Sequence, residues 1–153
     1  MTTSIPFSIL TANLKDLPAL RELEHICFGA DAWPLLDLIS VLTMPGIVRL
    51  KSVVNGKMTG FVGGDVHRND GMGWITTICV LPQYQNQGMG SALLAACENQ
   101  MRQPVVRLSV RTSNLGAIRL YQHKGYRQVD VWRQYYLDHE DALVLEKHIS
   151  SGS

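Results

Sequence analysis

Gln85–Leu94, QNQGMGSALL, is the stretch that decides how this chain folds. A β-branched run, WITTICV (74–80), ends just before it, and a helical pattern begins within it: Met89, Leu93, Cys97 and Met101 recur every fourth residue, with Ala92 and Leu94 widening the stripe. That spacing predicts an amphipathic helix of about four turns. Gly88 and Gly90 stand at its start. A helix amino terminus carries unpartnered backbone N–H groups and a partial positive charge, which suit a phosphate or pyrophosphate. Glycine there lets a ligand touch the backbone itself, and Gln85, Asn86, Gln87 and Ser91 add neutral donors. A P-loop is excluded because Gly-Lys-Ser/Thr is replaced by Gly-Ser. A dinucleotide fingerprint fits poorly, since Leu93 stands where it wants Gly or Ala. A glycine turn that simply caps a core helix stays open on the two glycines alone.

Outward from this segment, the chain alternates strand and helix signals. Upstream, FSILTAN (7–13) reads as a strand. Leu20, Leu23, Ile26 and Cys27 mark a helix with Asp16 as its cap, and WPLLDLISVLTM (33–44) a second helix entered through Pro34. GIVRLKSVV (46–54) and KMTGFVGGDV (57–66) flank Asn55-Gly56, a hairpin signal, and NDGMG (69–73) makes the next turn. Downstream, VVRLSVR (105–111) is a strand and LGAIRLYQHK (115–124) a helix closed by Gly125. YRQVDVWRQYYL (126–137) and DALVLEKHI (141–149) are two last strands. The order β, α, α, β, β, β, α, β, α, β, β predicts an α/β domain: a mixed, mostly antiparallel sheet of six to seven strands flanked by about four helices.

Composition narrows the function classes. The 153 residues suit one domain, assigned to 1–149, with SSGS (150–153) expected to be a disordered tail. A hydrophobic fraction of 46% against 18% charged residues is that of a globular protein. A net charge of +1 gives no electrostatic footprint for nucleic acid or an anionic membrane, so small or peptidic partners are expected. Cys27, Cys79 and Cys97 are odd in number and lie in apolar surroundings. They read as reduced core thiols, with no disulfide and no metal site. Neither a basic start followed by an apolar run nor a long apolar stretch is present, and a cytoplasmic protein is expected, as monomer or homodimer.

Two blocks of residues resemble a known family. The pattern V-x-P-x-Y-Q-x-x-G-x-G-x-x-L-L, from Val80 to Leu94, is similar to the acetyl-coenzyme A signature of the GNAT N-acetyltransferase superfamily. LSVRTSNLGAIRLYQHKGY, from Leu108 to Tyr126, resembles that superfamily's next motif, with Asn114, Ala117, Ile118, Leu120, Tyr121 and Gly125 in place. The resemblance implies that acetyl-coenzyme A is the co-substrate. Its pyrophosphate would lie on the backbone at Gln85, Asn86, Gln87, Gly88, Met89, Gly90 and Ser91. Ile78, Cys79 and Val80 would pair with the pantetheine arm as with an added strand, and Asn114 would contact the same arm. The resemblance also makes Tyr121 the general acid, which the spacing alone would read as a core aromatic beside Ala117 and Ile118.

Within the superfamily the chain looks most like the ribosomal-protein-alanine and related protein N-terminal acetyltransferases. ICFGADAWP (26–34), RQYY (133–136) and EDALVLEK (140–147) carry that likeness, although 30–34 keep Trp33 without reproducing the branch's prolines. In L-x-V-R-x-S-N, such relatives commonly have Glu or His at x as the general base. Here it is Ser109, whose hydroxyl is a poor proton acceptor near neutral pH. An α-amine titrates at about 7.7 to 8.0 and a lysine near 10.4, so an enzyme acting on N-termini tolerates the loss best. Glu24 is a substitute base if it faces the acceptor, though its spacing reads as a solvated helix face. Asp65 and His67 share a strand face and read as surface, whereas Trp33, Tyr135 and Tyr136 are expected to edge an acceptor groove. The expected reaction is acetyl transfer to a protein or peptide N-terminus by direct attack. The alternatives are a small amine, a protein lysine, or a non-catalytic acyl-coenzyme A sensor.

Overall fold

The computed structural model describes residues 5–149; the tail expected at 150–153 lies outside them. Seven strands and four α-helices follow the expected order. They are β1 (Ser8–Thr11), α1 (Leu17–Phe28), α2 (Leu35–Thr43), β2 (Ile47–Val54), β3 (Lys57–His67), β4 (Met72–Val80), α3 (Met89–Met101), β5 (Val105–Arg111), α4 (Leu115–His123), β6 (Arg127–Trp132) and β7 (Ala142–His148). They build one sheet in the order β1-β2-β3-β4-β5-β7-β6, with β4 and β5 parallel and the other neighbours antiparallel.

Alternation along the strands sends residues to two cores. On one face Leu93, Leu94, Cys97 and Met101 of α3 pack with Val62, Ile75, Val106 and Leu108, and Tyr121 of α4 joins them. On the other, Leu20 and Leu23 of α1 and Leu38, Val41 and Leu42 of α2 pack with Phe61 and Cys79. The stripe read from Met89, Leu93, Cys97 and Met101 is buried at all four positions. Asn55 and Gly56 turn the β2–β3 hairpin with φ of 50° and 77°, as an Asn-Gly turn requires.

Local readings shift in four places. Asp16 stands at the start of α1 but makes no cap bond; it accepts from the Asn13 N–H at 2.9 Å and pairs with Lys51 at 2.7 Å. Pro34 precedes α2 rather than lying in its first turn. The first strand shortens to four residues. β6 stops at Trp132, because Gln134 takes a φ of 52° and its N–H turns to Asp141 Oδ1 at 2.8 Å. Tyr135 and Tyr136 therefore sit in the loop between β6 and β7, packed edge to face with centroids 5.1 Å apart, and not on opposite faces of a strand.

Gly64 marks where α3 presses on the sheet. A Cβ there would lie 2.6 Å from both Cys97 Sγ and Met101 Sδ. Gly64→Val is expected to lower stability by about 1–3 kcal/mol through overpacking, read as a reduced urea midpoint; an unchanged midpoint would show that α3 has slack.

Candidate active site

β4 and β5 pair over only Met72–Ile75 and Val105–Leu108. Beyond those residues β4 stays with β3 as far as Val80, and β5 stays with β7 as far as Arg111, so the two strands diverge. The divergence starts at a bulge, where Gly63 pairs with Thr77 and Gly64 with Ile75, leaving Thr76 without a partner. Ile78, Cys79 and Val80 thus turn one backbone edge to β3 and the other to a gap, the geometry that accepts an extended arm as an additional strand.

The glycine segment closes one end of this gap. Gly88, with φ of 84°, precedes α3, and no side chain caps the helix. A Cβ on Gly88 would meet nothing within 4 Å, so a ligand has room at the bare helix terminus. Asn86 also takes a positive φ, of 62°, so the loop passes through the left-handed region twice before α3. Gln85 donates its amide to the Val80 carbonyl oxygen at 3.0 Å, and the Gln87 amide reaches Gln83 at 3.5 Å; both brace the loop. Met89 is buried beneath it, and Ser91 is half-buried in the first turn of α3. Asn114 caps α4 by accepting from the Ala117 N–H at 3.3 Å, a bond that uses only Oδ1 and leaves its amide nitrogen for a ligand. These residues fit the phosphates and arm of coenzyme A.

Two proton-active side chains flank the gap. Tyr121 of α4 is 7% exposed. Burial raises its phenol well above the ordinary value, and nearby Cys79 and Tyr136 push the same way, so it stays protonated and able to donate. Glu24 corrects the solvated-face reading: it is 1% exposed, on the inner side of α1. Thr77 Oγ1 donates to Glu24 Oε2 at 3.5 Å, while Glu24 Oε1 is buried with no hydrogen-bond partner. Desolvation raises its pKa to about 7, against weaker lowering by the Trp33 backbone and Thr77. A buried carboxyl without a cation beside it is costly as structure and useful as a base.

The remaining sequence candidates separate. The Tyr136 hydroxyl lies beside Ser109, at the position where a family base was expected. Trp33 lines a cavity of about 210 Å³ with Asp37, Ser40, Val41, Ile47, Asp65 and Thr76. Tyr135 stacks against Trp132 at 5.1 Å, and Trp132 against Trp74 at 5.8 Å, continuing an aromatic wall across the sheet. His67 bonds Asp65 at 2.9 Å, both half-exposed, near the Met72 end of β4 and away from Val80. All three cysteines are free thiols, and Cys27 Sγ donates to the Val80 carbonyl oxygen at 3.5 Å. Thr77 and Arg111 escaped the sequence reading; the acidic run DHED at 138–141 was the one signal that a cation lay opposite. Among the described residues no group of side chains is arranged to hold a metal ion, and no helix is long and apolar enough to cross a membrane.

A sheet split between its parallel strands, with a glycine-opened helix at the split, defines an acyl-coenzyme A-dependent transferase fold. Residues 18–126 match the acetyltransferase (GNAT) family, and the chain belongs to it. It is 35% identical over 150 residues to the ribosomal protein bS18-alanine N-acetyltransferase of Escherichia coli K12, covering 94% of this chain and 98% of that one. It is 30% identical over 148 residues to the catalytic subunit NAA10 of the N-terminal acetyltransferase A complex of Arabidopsis thaliana, covering 92% and 77%. The crystal structure of the Escherichia coli ribosomal-protein-S18-alanine N-acetyltransferase superposes with a TM-score of 0.87 over 97% of both chains, at 28% identity.

The Glu24 environment has a signature in stability. A carboxyl whose folded pKa lies above its ordinary 4.5 contributes fully below that pH, and the contribution is lost as pH rises through about 7. Glu24→Gln is neutral throughout. Thermal melts should show the wild type losing ground to Glu24→Gln across that window; parallel curves would mean that the carboxyl ionises at its ordinary value.

Proposed function

We propose that this enzyme transfers the acetyl group of acetyl-coenzyme A to the N-terminal α-amine of a protein or peptide, by direct attack in a ternary complex. The observation that carries this reading is the buried, partly unpartnered Glu24 carboxyl on one side of the strand gap, with the protonated Tyr121 phenol on the other. Glu24 takes the proton from the incoming ammonium, directly or through a water. The free amine attacks the thioester carbon, and a backbone N–H near Val80 steadies the oxyanion. As the carbon–sulfur bond breaks, Tyr121 gives its proton to the departing thiolate. Ser109, beside Tyr136, takes no proton in this scheme and shapes the acceptor end. A base with a pKa of about 7 suits an α-amine at about 7.7 to 8.0 far better than a lysine near 10.4.

The acceptor surface supports a peptide. The cavity at Trp33, about 210 Å³, is smaller than the roughly 300–1,000 Å³ of sites that enclose whole small molecules. Trp33 lines it, and the aromatic series Trp74, Trp132 and Tyr135 offers a further apolar surface for a peptide chain. Three free thiols favour a reducing compartment, and the reading places the enzyme in the cytoplasm.

Coenzyme A release distinguishes the acceptors. A lysine-free peptide with a free N-terminus should support release, and an N-blocked peptide containing lysine should not. The reverse would move the assignment to lysine, and silence with both would point to small amines or to a binding protein. Glu24→Gln and Tyr121→Phe should each slow transfer by roughly 10²- to 10⁴-fold. Glu24→Gln should also lose the rise in rate through pH 7; a retained rise would take the base role from Glu24.

A further inference from the structure

We infer that Arg111 is the positioning residue that holds the two walls of the acceptor groove at working separation, an inference that rests on the peptide reading above. Arg111 is the last residue of β5, two positions beyond Ser109. Residues 105, 107, 109 and 111 are half-buried and alternate with the buried 106, 108 and 110, so the Arg111 side chain leaves the sheet on the same side as Ser109. Its guanidinium then reaches both walls. Nε lies 2.9 Å and Nη2 2.6 Å from Asp31 Oδ2, in the α1–α2 connection two residues before Trp33. Nη1 donates to Asp138 at 2.9 and 3.0 Å and to Glu140 Oε1 at 2.7 Å, in the β6–β7 connection that carries Tyr135 and Tyr136. The guanidinium carbon is 4.0 Å from the centre of the Tyr136 ring, the tyrosine that lies beside Ser109.

Three carboxylates from two connections thus converge on one cation. Hydrogen bonds to Ser113 and Arg111 hold Glu140 down at a pKa of about 2, so it is charged throughout any practical assay. Without the guanidinium these carboxylates repel one another, and among the described residues no other ion pair joins Asp31 to the β6–β7 connection. Glu140 extends the tie to the coenzyme side: it also accepts from Thr112 Oγ1 at 3.1 Å and from the Ser113 N–H at 2.8 Å, just before the Asn114 cap of α4. A planar fork of donors meets this geometry, and an ammonium does not. Asp31 and Asp138 are solvent-exposed, so the pairs that cross between the walls contribute modestly to global stability. The arrangement therefore acts on where the walls stand rather than on whether the chain folds.

The test is steady-state kinetics with the lysine-free, free-N-terminus peptide for wild type, Arg111→Gln, Arg111→Lys and Asp31→Asn, with melting temperatures alongside. Misplacing a substrate-bearing wall by about an ångström costs up to roughly 100-fold. Arg111→Gln should raise the peptide KM by about ten- to a hundredfold while the acetyl-coenzyme A KM and the melting temperature stay close to wild type. Arg111→Lys should recover only part of the loss. Asp31→Asn, which unties one wall and leaves the guanidinium on the other, should fall between wild type and Arg111→Gln, and it serves even if Arg111→Gln folds poorly. Unchanged peptide KM in Arg111→Gln or in Asp31→Asn would overturn the inference, as would an equal rise in the acetyl-coenzyme A KM. A wild type that acetylates no peptide would instead overturn the peptide reading beneath it.

Discussion

The early end of pairing between β4 and β5 is the constraint on which the rest of the molecule depends. Two parallel neighbours in a sheet ordinarily continue together, because each buried N–H and C=O needs a partner. Here each strand keeps its other neighbour, β3 or β7, and surrenders the shared edge after Ile75 and Leu108. The bulge at Thr76 supplies the local twist that starts the separation. The strand edge freed in this way has the form of a site for an extended arm, the place proposed for acetyl-coenzyme A. The groups proposed for the chemistry gather at that opening. α3 brings its bare amino terminus to one side, α4 brings Tyr121, and α1 brings Glu24.

Two buried glutamates show how the fold separates structure from chemistry. Glu98 of α3 receives the Tyr126 hydroxyl at 2.6 Å and the Lys147 ammonium at 3.0 Å, so its charge is compensated and the group serves as a tie between helix and sheet. Glu24 is at least as deeply buried but has the Thr77 hydroxyl and the Trp33 backbone beside it and no cation. Desolvation is therefore uncompensated, and the carboxyl becomes a group that gains and loses a proton near neutrality. Burial of both was invisible in their helix patterns. Only the number and kind of partners separates the compensated carboxylate from the one proposed for proton transfer.

Much of the architecture was legible because period and punctuation agreed. The every-fourth stripe of α3, the Asn-Gly hairpin, the β-branched run of β4 and Gly125 after α4 each state a local rule that tertiary structure had no reason to override. The misreadings have physical causes. Asp16 is a good cap by type, but Lys51 and Asn13 compete for its carboxylate. Tyr135 and Tyr136 continue a strand-like pattern, yet the left-handed backbone at Gln134 ends the strand before them. Arg111 reads as one more basic residue in a strand, because its three partners come from 80, 27 and 29 positions away.

The sequence by itself determined the order of elements and carried the resemblance to the family, since both rest on patterns close along the chain: strand, loop, glycines and helix start lie within about twenty residues. Tertiary structure alone decided which groups share the gap. Glu24 and Thr77 are 53 positions apart, and no periodicity reports that their side chains meet. A base is made by the removal of water and the absence of a counter-ion, and both are properties of the packed surroundings rather than of the residue.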